Sequence, residues 1–144
     1  MRSREIENHE VVTVVSRTLG ELPGVQGVLL FGSWVARFLG RSEFLPNDID
    51  VLVIGNVDSV ELHSATLSIE RKLGFPVQTV QRTLVSWLTP SDGLVRTIRS
   101  QPVLAVFVNE SHRGLVADFE ILTGNSMSQV VNGTEGRVLR TSHS

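Results

Sequence analysis

Residues 49–54 read Ile-Asp-Val-Leu-Val-Ile, the strongest strand signal in the chain. The run is rich in β-branched residues and flanked by turn residues, so it predicts a short strand covered on both faces or nearly so. Its opening is the anomaly. Asn47-Asp48-Ile49-Asp50 places two carboxylates at the mouth of a buried strand, and a charge there is costly unless something compensates for it. In a strand, residues i and i+2 share a face and lie roughly 6.6 Å apart. Asp48 and Asp50 therefore project together, while Ile49 points to the opposite, buried face.

Composition sets the frame for that strand. With 144 residues, 41% of them hydrophobic and 19% charged, the chain fits one domain with a real core. A net charge of −2 excludes the broad basic surface of a general nucleic-acid binder; any RNA contact has to come from a local patch. The absence of cysteine excludes disulfides and cysteine–zinc sites. His9, His63, His112 and His143 are scattered without ligand spacing. No apolar run approaches the ~20 residues of a membrane helix, and the N-terminal stretch is polar, so the expectation is a cytoplasmic protein with no membrane association.

The remaining elements follow from periodicity and punctuation. Residues 5–19 carry apolar side chains at near-helical spacing and end at Gly20, predicting a helix. Residues 25–31 predict a buried strand, broken by Gly32-Ser33. Trp34, Val35, Phe38 and Leu39 recur at helical spacing as far as Gly40. Asp58 caps a predicted helix over 59–73, with Leu62, Leu67, Ile69 and Leu73 inward, stopped by Gly74. Residues 76–80 predict a third strand, 83–88 and 92–99 two short helices, and 103–108 a further strand. Residues 115–122 alternate as a strand. Two weak strand signals, around Val130 and Val138, follow. Asn132-Gly133 is a turn signal between them. The expected organisation is a core over residues 1–108 and an extension over 109–144, forming short strands or a mobile tail.

A strand that feeds a sharp glycine turn into a helix leaves backbone N–H groups pointing outward, which suits an anion. Ser33 adds a hydroxyl at the expected cap position. Arg37, one turn later, reaches either a phosphate or an acidic neighbour. Two carboxylates on one strand face suit hard cations such as Mg²⁺, which take oxygen ligands. A triphosphate on the Gly-Ser turn, its metal held by Asp48 and Asp50, makes one coherent site. The competing readings are structural: Pro-Asn-Asp is also good turn chemistry, and Gly32-Ser33 also serves as an ordinary strand-to-helix connection. Trp34 and Trp87 read as core or interface residues, with base stacking an alternative for Trp34.

The pattern Gly-Ser, helix, then Asp-x-Asp opening an apolar strand resembles the minimal nucleotidyltransferases of the DNA polymerase β superfamily. The resemblance covers residues 25–88 and extends more loosely to 103. It implies an α/β (α+β) fold, a mixed β-sheet with helices packed mainly on one face; the C-terminal β-meander read from the residues after 109 has no counterpart in the family. It also implies that Gly32 and Ser33 hold the β/γ-phosphates of a nucleoside triphosphate. Asp48 and Asp50 would bind Mg²⁺ (or Mn²⁺), and an NMP would pass to a hydroxyl. Acceptors of similar proteins include a tyrosine on a partner toxin, a tRNA end or an antibiotic.

The sequence also departs from that family. A third carboxylate is expected on the next strand, where residues 76–80 put Gln78 in the slot. Asp118 and Glu120, which share a strand face, and Glu70 on the preceding helix are the substitutes. Three functions follow as alternatives: an active nucleotidyltransferase moving an NMP to a hydroxyl on a protein, RNA or small molecule, with a toxin–antitoxin pair as one setting; a catalytically weakened nucleotide- or partner-binding module resembling an antitoxin; and a small dimeric (homo-oligomeric) structural protein with no nucleotide.

Overall fold

The computed structural model describes residues 8–109, 129–132 and 137–140. Helix α1 (Asn8–Gly20) leads into strand β1 (Val25–Phe31), the short helix α2 (Ser33–Phe38) and strand β2 (Ile49–Gly55). Helix α3 (Ser59–Leu73), strand β3 (Val77–Arg82), helices α4 (Leu84–Leu88) and α5 (Gly93–Arg99) and strand β4 (Leu104–Val108) follow. Strands β5 (Gln129–Asn132) and β6 (Arg137–Arg140) complete the described chain.

The strands form one mixed sheet in the order β3-β2-β1-β4-β5-β6. β1 runs antiparallel to both β2 and β4, β3 lies parallel to β2, β5 parallel to β4, and β6 antiparallel to β5. The expected mixed sheet is therefore present, and the C-terminal strands continue it from the β4 edge. The expected strand over 115–122 lies outside the described residues.

The double-sided character of β2 has a direct cause. Ile49, Val51 and Val53 enter one core cluster with α1, α2 and α3; Leu52 and Ile54 enter a second with Trp87, Val95 and Ile98 from α4 and α5. Ile49, Leu52 and Ile54 are fully buried, and each such side chain contributes about 1.5–3 kcal/mol relative to exposure. Helices α1, α2 and α3 thus cover one face, and α4 and α5 cover the other.

Caps delimit the helices where periodicity is weakest. Asp58 accepts from the N–H groups of Val60 and Glu61, and Gly74 closes α3 in the left-handed region. Thr83 caps α4 and Asp92 caps α5. Leu67, expected inward on α3, is 40% exposed instead. The face of α3 that meets the sheet is lined by Leu62, Ala65, Thr66, Ile69 and Leu73. Thr66 takes an inward position because its hydroxyl donates to the Leu62 carbonyl and meets the Thr79 hydroxyl at 2.9 Å.

The helix α5 crosses the second face with both ends tied. At its start, Asp92 accepts from the Arg82 Nε of β3 at 2.6 Å. Beyond its end, Gln101 lies just ahead of β4, at the edge of the sheet where β1 finishes and β2 and β3 begin.

Candidate functional site

Three residues lie in a row across three strands at that edge. Phe31 pairs with Asp50 between β1 and β2, and Asp50 pairs with Gln78 between β2 and β3. Residues directly opposite in a sheet present their side chains on the same face. Gln78 therefore stands beside Asp50, on the face that carries Leu52, Ile54 and Trp87. The start of β3 is pinned by two hydrogen bonds. The Ile49 N–H donates to the Pro76 carbonyl at 3.0 Å, and Glu70 Oε2 accepts from the Val77 N–H at 2.9 Å. Glu70, one of the candidate substitutes for the third carboxylate, is engaged in setting this register.

Asp48 precedes β2 in a bend, and Asp50 is the second residue of the strand; both are half-buried. Burial, reinforced by the Asp48 charge, raises the Asp50 carboxyl above the usual carboxylate range. The Asp48 charge thus lies close enough to oppose ionisation of Asp50. A divalent cation bound by both would relieve that opposition. Hard carboxylate oxygens fit Mg²⁺ or Mn²⁺, and the pair supplies two such ligands. Among the described residues, no group of three or more His, Cys, Asp or Glu gathers around a common point. Asp118 and Glu120 lie outside the described residues.

Gly32 is the hinge between β1 and α2, and two constraints meet there. Its φ is +81°, a region costly for any residue with a Cβ. A Cβ at this position would also run into the Asp50 carboxylate. The glycine backbone and the acid are therefore packed directly together, and the turn belongs to the same site as the carboxylates.

Ser33 departs from its expected position. Gly32 is the N-cap of α2, and Ser33 is the first helical residue, exposed to solvent. The positive φ of Gly32 moves the cap one residue earlier than Ser-cap statistics place it. Arg37 extends along the following loop, and its Nη1 donates to the Glu43 carbonyl at 2.8 Å. Trp34 is buried in the core, stacked on Phe38 with ring centroids 5.3 Å apart, which matches the core reading of that residue. Trp87 is fully buried on the opposite face, with the Arg99 guanidinium 5.9 Å from its ring centroid.

One site residue has no signal in the sequence. Gln101 accepts a hydrogen bond from the Gly32 N–H through its side-chain Oε1 at 3.3 Å. A lone glutamine in a polar loop carries no motif, and only the β1–β4 pairing brings it to the turn.

No protein-family model matches the chain, and no curated protein does. Solved structures do. A Shewanella oneidensis complex of a tri-AMPylated HEPN toxin with an MNT antitoxin matches at TM-score 0.54 and 18% identity, over 81% of this chain and 83% of that one. An Asp-to-Glu double mutant of the MntA–HpeT toxin–antitoxin matches at TM-score 0.51 and 14% identity, over 82% and 84%. A toxin–antitoxin with AMP-PNP matches at TM-score 0.50 and 18% identity, over 81% and 84%. The chain shares the overall fold of these structures. Within it, the Gly32 turn, the Asp48/Asp50 pair and Gln78 form one cluster at one edge of the sheet. Among the described residues, no helix is long and apolar enough to cross a membrane.

Proposed function

We propose that this chain is a nucleotidyltransferase that takes a nucleoside triphosphate with Mg²⁺ and moves the NMP to a hydroxyl of a protein partner within a toxin–antitoxin pair. The observation that carries the proposal is the packing of the Gly32 turn against the Asp50 carboxylate, with Asp48 beside it. A phosphate-binding turn and a cation-binding pair are thereby in contact, as the chemistry needs. Asp48 and Asp50 would hold the metal, and Gly32 and Ser33 would hold the β/γ-phosphates. Arg37 would close over the triphosphate from the α2 side. A divalent ion held by the pair would neutralise phosphate charge and help orient the triphosphate.

The acceptor hydroxyl oxygen forms a bond to the α-phosphorus, the bond from that phosphorus to the β-phosphate bridge breaks, and pyrophosphate leaves. Phosphoryl transfer depends on positioning and electrostatics above all, so the carboxylate pair supplies much of the catalysis. Gln78 is not a base. The reading therefore entails a slow transferase, with the hydroxyl proton passing to solvent, unless Asp118, Glu120 or the acceptor itself takes it. A protein acceptor is favoured over tRNA or a small molecule because the structural neighbours are protein complexes, one of them with an AMPylated toxin. Gln78 beside Asp50 also favours a second reading, in which nucleotide is bound and catalysis is lost. The partner would then be controlled by binding alone.

Calorimetric titration with ATP and Mg²⁺ tests the shared part of both readings. Binding should need Mg²⁺, fall at least tenfold in Asp50→Asn or Asp48→Asn, roughly the loss of one charge-assisted contact, and fall less in Ser33→Ala. If neither aspartate variant changes nucleotide affinity, the site is elsewhere. Incubation with α-labelled nucleotides and cell lysate then separates transfer from binding alone.

A further inference from the structure

The Gly32 N–H lies beyond the last β1–β2 ladder pair, Phe31 with Asp50, and ahead of the first α2 helical bond. A backbone donor placed there needs a partner from elsewhere. Gln101, 69 residues away, supplies it through Oε1 at 3.3 Å. The orientation of that amide is determined by its other end. Gln101 Nε2 donates to the Thr97 carbonyl at 3.3 Å. A carbonyl only accepts, so the amide oxygen is left facing Gly32. The Gln101 backbone N–H donates to the Ile98 carbonyl at 3.2 Å. The residue is therefore held to the end of α5 by two bonds and reaches the turn by a third.

We infer that Gln101 is a positioning residue that keeps the Gly32 N–H occupied in the free protein and is exchanged for a phosphate oxygen when nucleotide binds. The inference rests on the nucleotide reading above. Its physical basis is the imbalance between the two acceptors. The bond to Gln101 is long for an N–H···O bond and its acceptor is neutral. A phosphate oxygen is ionised, and bonds to ionised acceptors are shorter and about twice as strong. The exchange favours phosphate, yet the bond given up subtracts from the affinity gained. In the free protein, the bond steadies the positive-φ turn in contact with Asp50, so phosphate meets a turn already shaped.

Two variants test the exchange in the full chain. Gln101→Met keeps length and bulk but removes the strong acceptor. Gln101→Asn keeps the amide but is one methylene too short to span the gap. Both should bind Mg·ATP about two- to tenfold more tightly than the wild type, the worth of one neutral hydrogen bond. In free protein, the Gly32 amide NMR resonance should move and its hydrogen exchange quicken; at nucleotide saturation, variant and wild-type resonances should coincide. A merely structural role for Gln101 would not make the Gly32 resonances converge. If the wild type binds Mg·ATP and both variants bind equally or more weakly, the exchange is overturned while the nucleotide reading stands. If the wild type binds no nucleotide, the nucleotide reading fails and the exchange fails with it.

Discussion

At the scale of single residues, Asp50 and Gln78 carry opposite expectations. Burial and the neighbouring Asp48 charge raise the Asp50 carboxyl above its ordinary range. A raised carboxyl means the folded state penalises the ionised form, and the penalty is present above the folded-state value. Without divalent cation, Asp50→Asn should therefore melt no lower than the wild type at neutral pH. Any advantage should vanish in acid, where both are uncharged at this position. Thermal melts with a chelator at the two pH values check this, and a lower melting temperature for Asp50→Asn at neutral pH would contradict it. Gln78, Asp50's partner across the β2–β3 ladder, can offer an amide oxygen but is a very poor base. Gln78→Asp should tighten Mg²⁺ binding and raise transfer by about 10²-fold or more, the usual contribution of a general base. Unchanged metal affinity would mean that the position does not face the ion.

At the scale of elements, α5 is held by a carboxylate whose charge depends on pH. The hydrogen bond from Arg82 holds the Asp92 carboxyl below the usual range, and bonds from the Leu94 and Val95 N–H groups act the same way. A lowered carboxyl contributes stability that is present above the unfolded value and is lost as pH falls through the folded one. Asp92→Asn keeps a good helix cap, since asparagine caps about as well as aspartate, but removes the ion pair. The variant should be less stable than the wild type at neutral pH, and the two should converge in acid. Both groups are about one-third exposed, so salt should narrow the gap at neutral pH. Denaturant titrations over pH and salt measure it. A gap that persists in acid would mean that Asp92 acts through capping alone.

At the scale of the whole molecule, the site and the C-terminal strands separate. Every pairing that places Gly32, Asp48, Asp50 and Gln78 lies among β1, β2, β3 and β4. Strand β5 adds to the outer edge of β4 through Leu104 with Gln129 and Ala105 with Val130. Deleting residues 124–144 should leave the nucleotide site folded and expose the apolar β4 edge to pairing with other chains. Light scattering after size exclusion should show a larger or less soluble species, with Mg·ATP affinity within about twofold of the full chain, the additivity expected of distant sites. Loss of cooperative unfolding in the truncated chain would place those strands within the main core.

The sequence by itself determined what depends on neighbours along the chain. The apolar run of β2 required burial on both faces. Asp58 and Gly74 bounded α3 to the residue, and the two short helices were placed to within one residue, their caps Thr83 and Asp92 emerging only from the structure. The Gly-Ser turn and the Asp-x-Asp pair were legible as motifs for the same local reason. Tertiary structure alone decided the rest. Sheet register put Gln78 beside Asp50, spent the Glu70 carboxylate on the Val77 N–H, and packed Gly32 against Asp50. It also carried Gln101 to the Gly32 N–H. A hydrogen bond between residues 69 apart leaves no period or spacing in a sequence, because it exists only once β1 and β4 have paired.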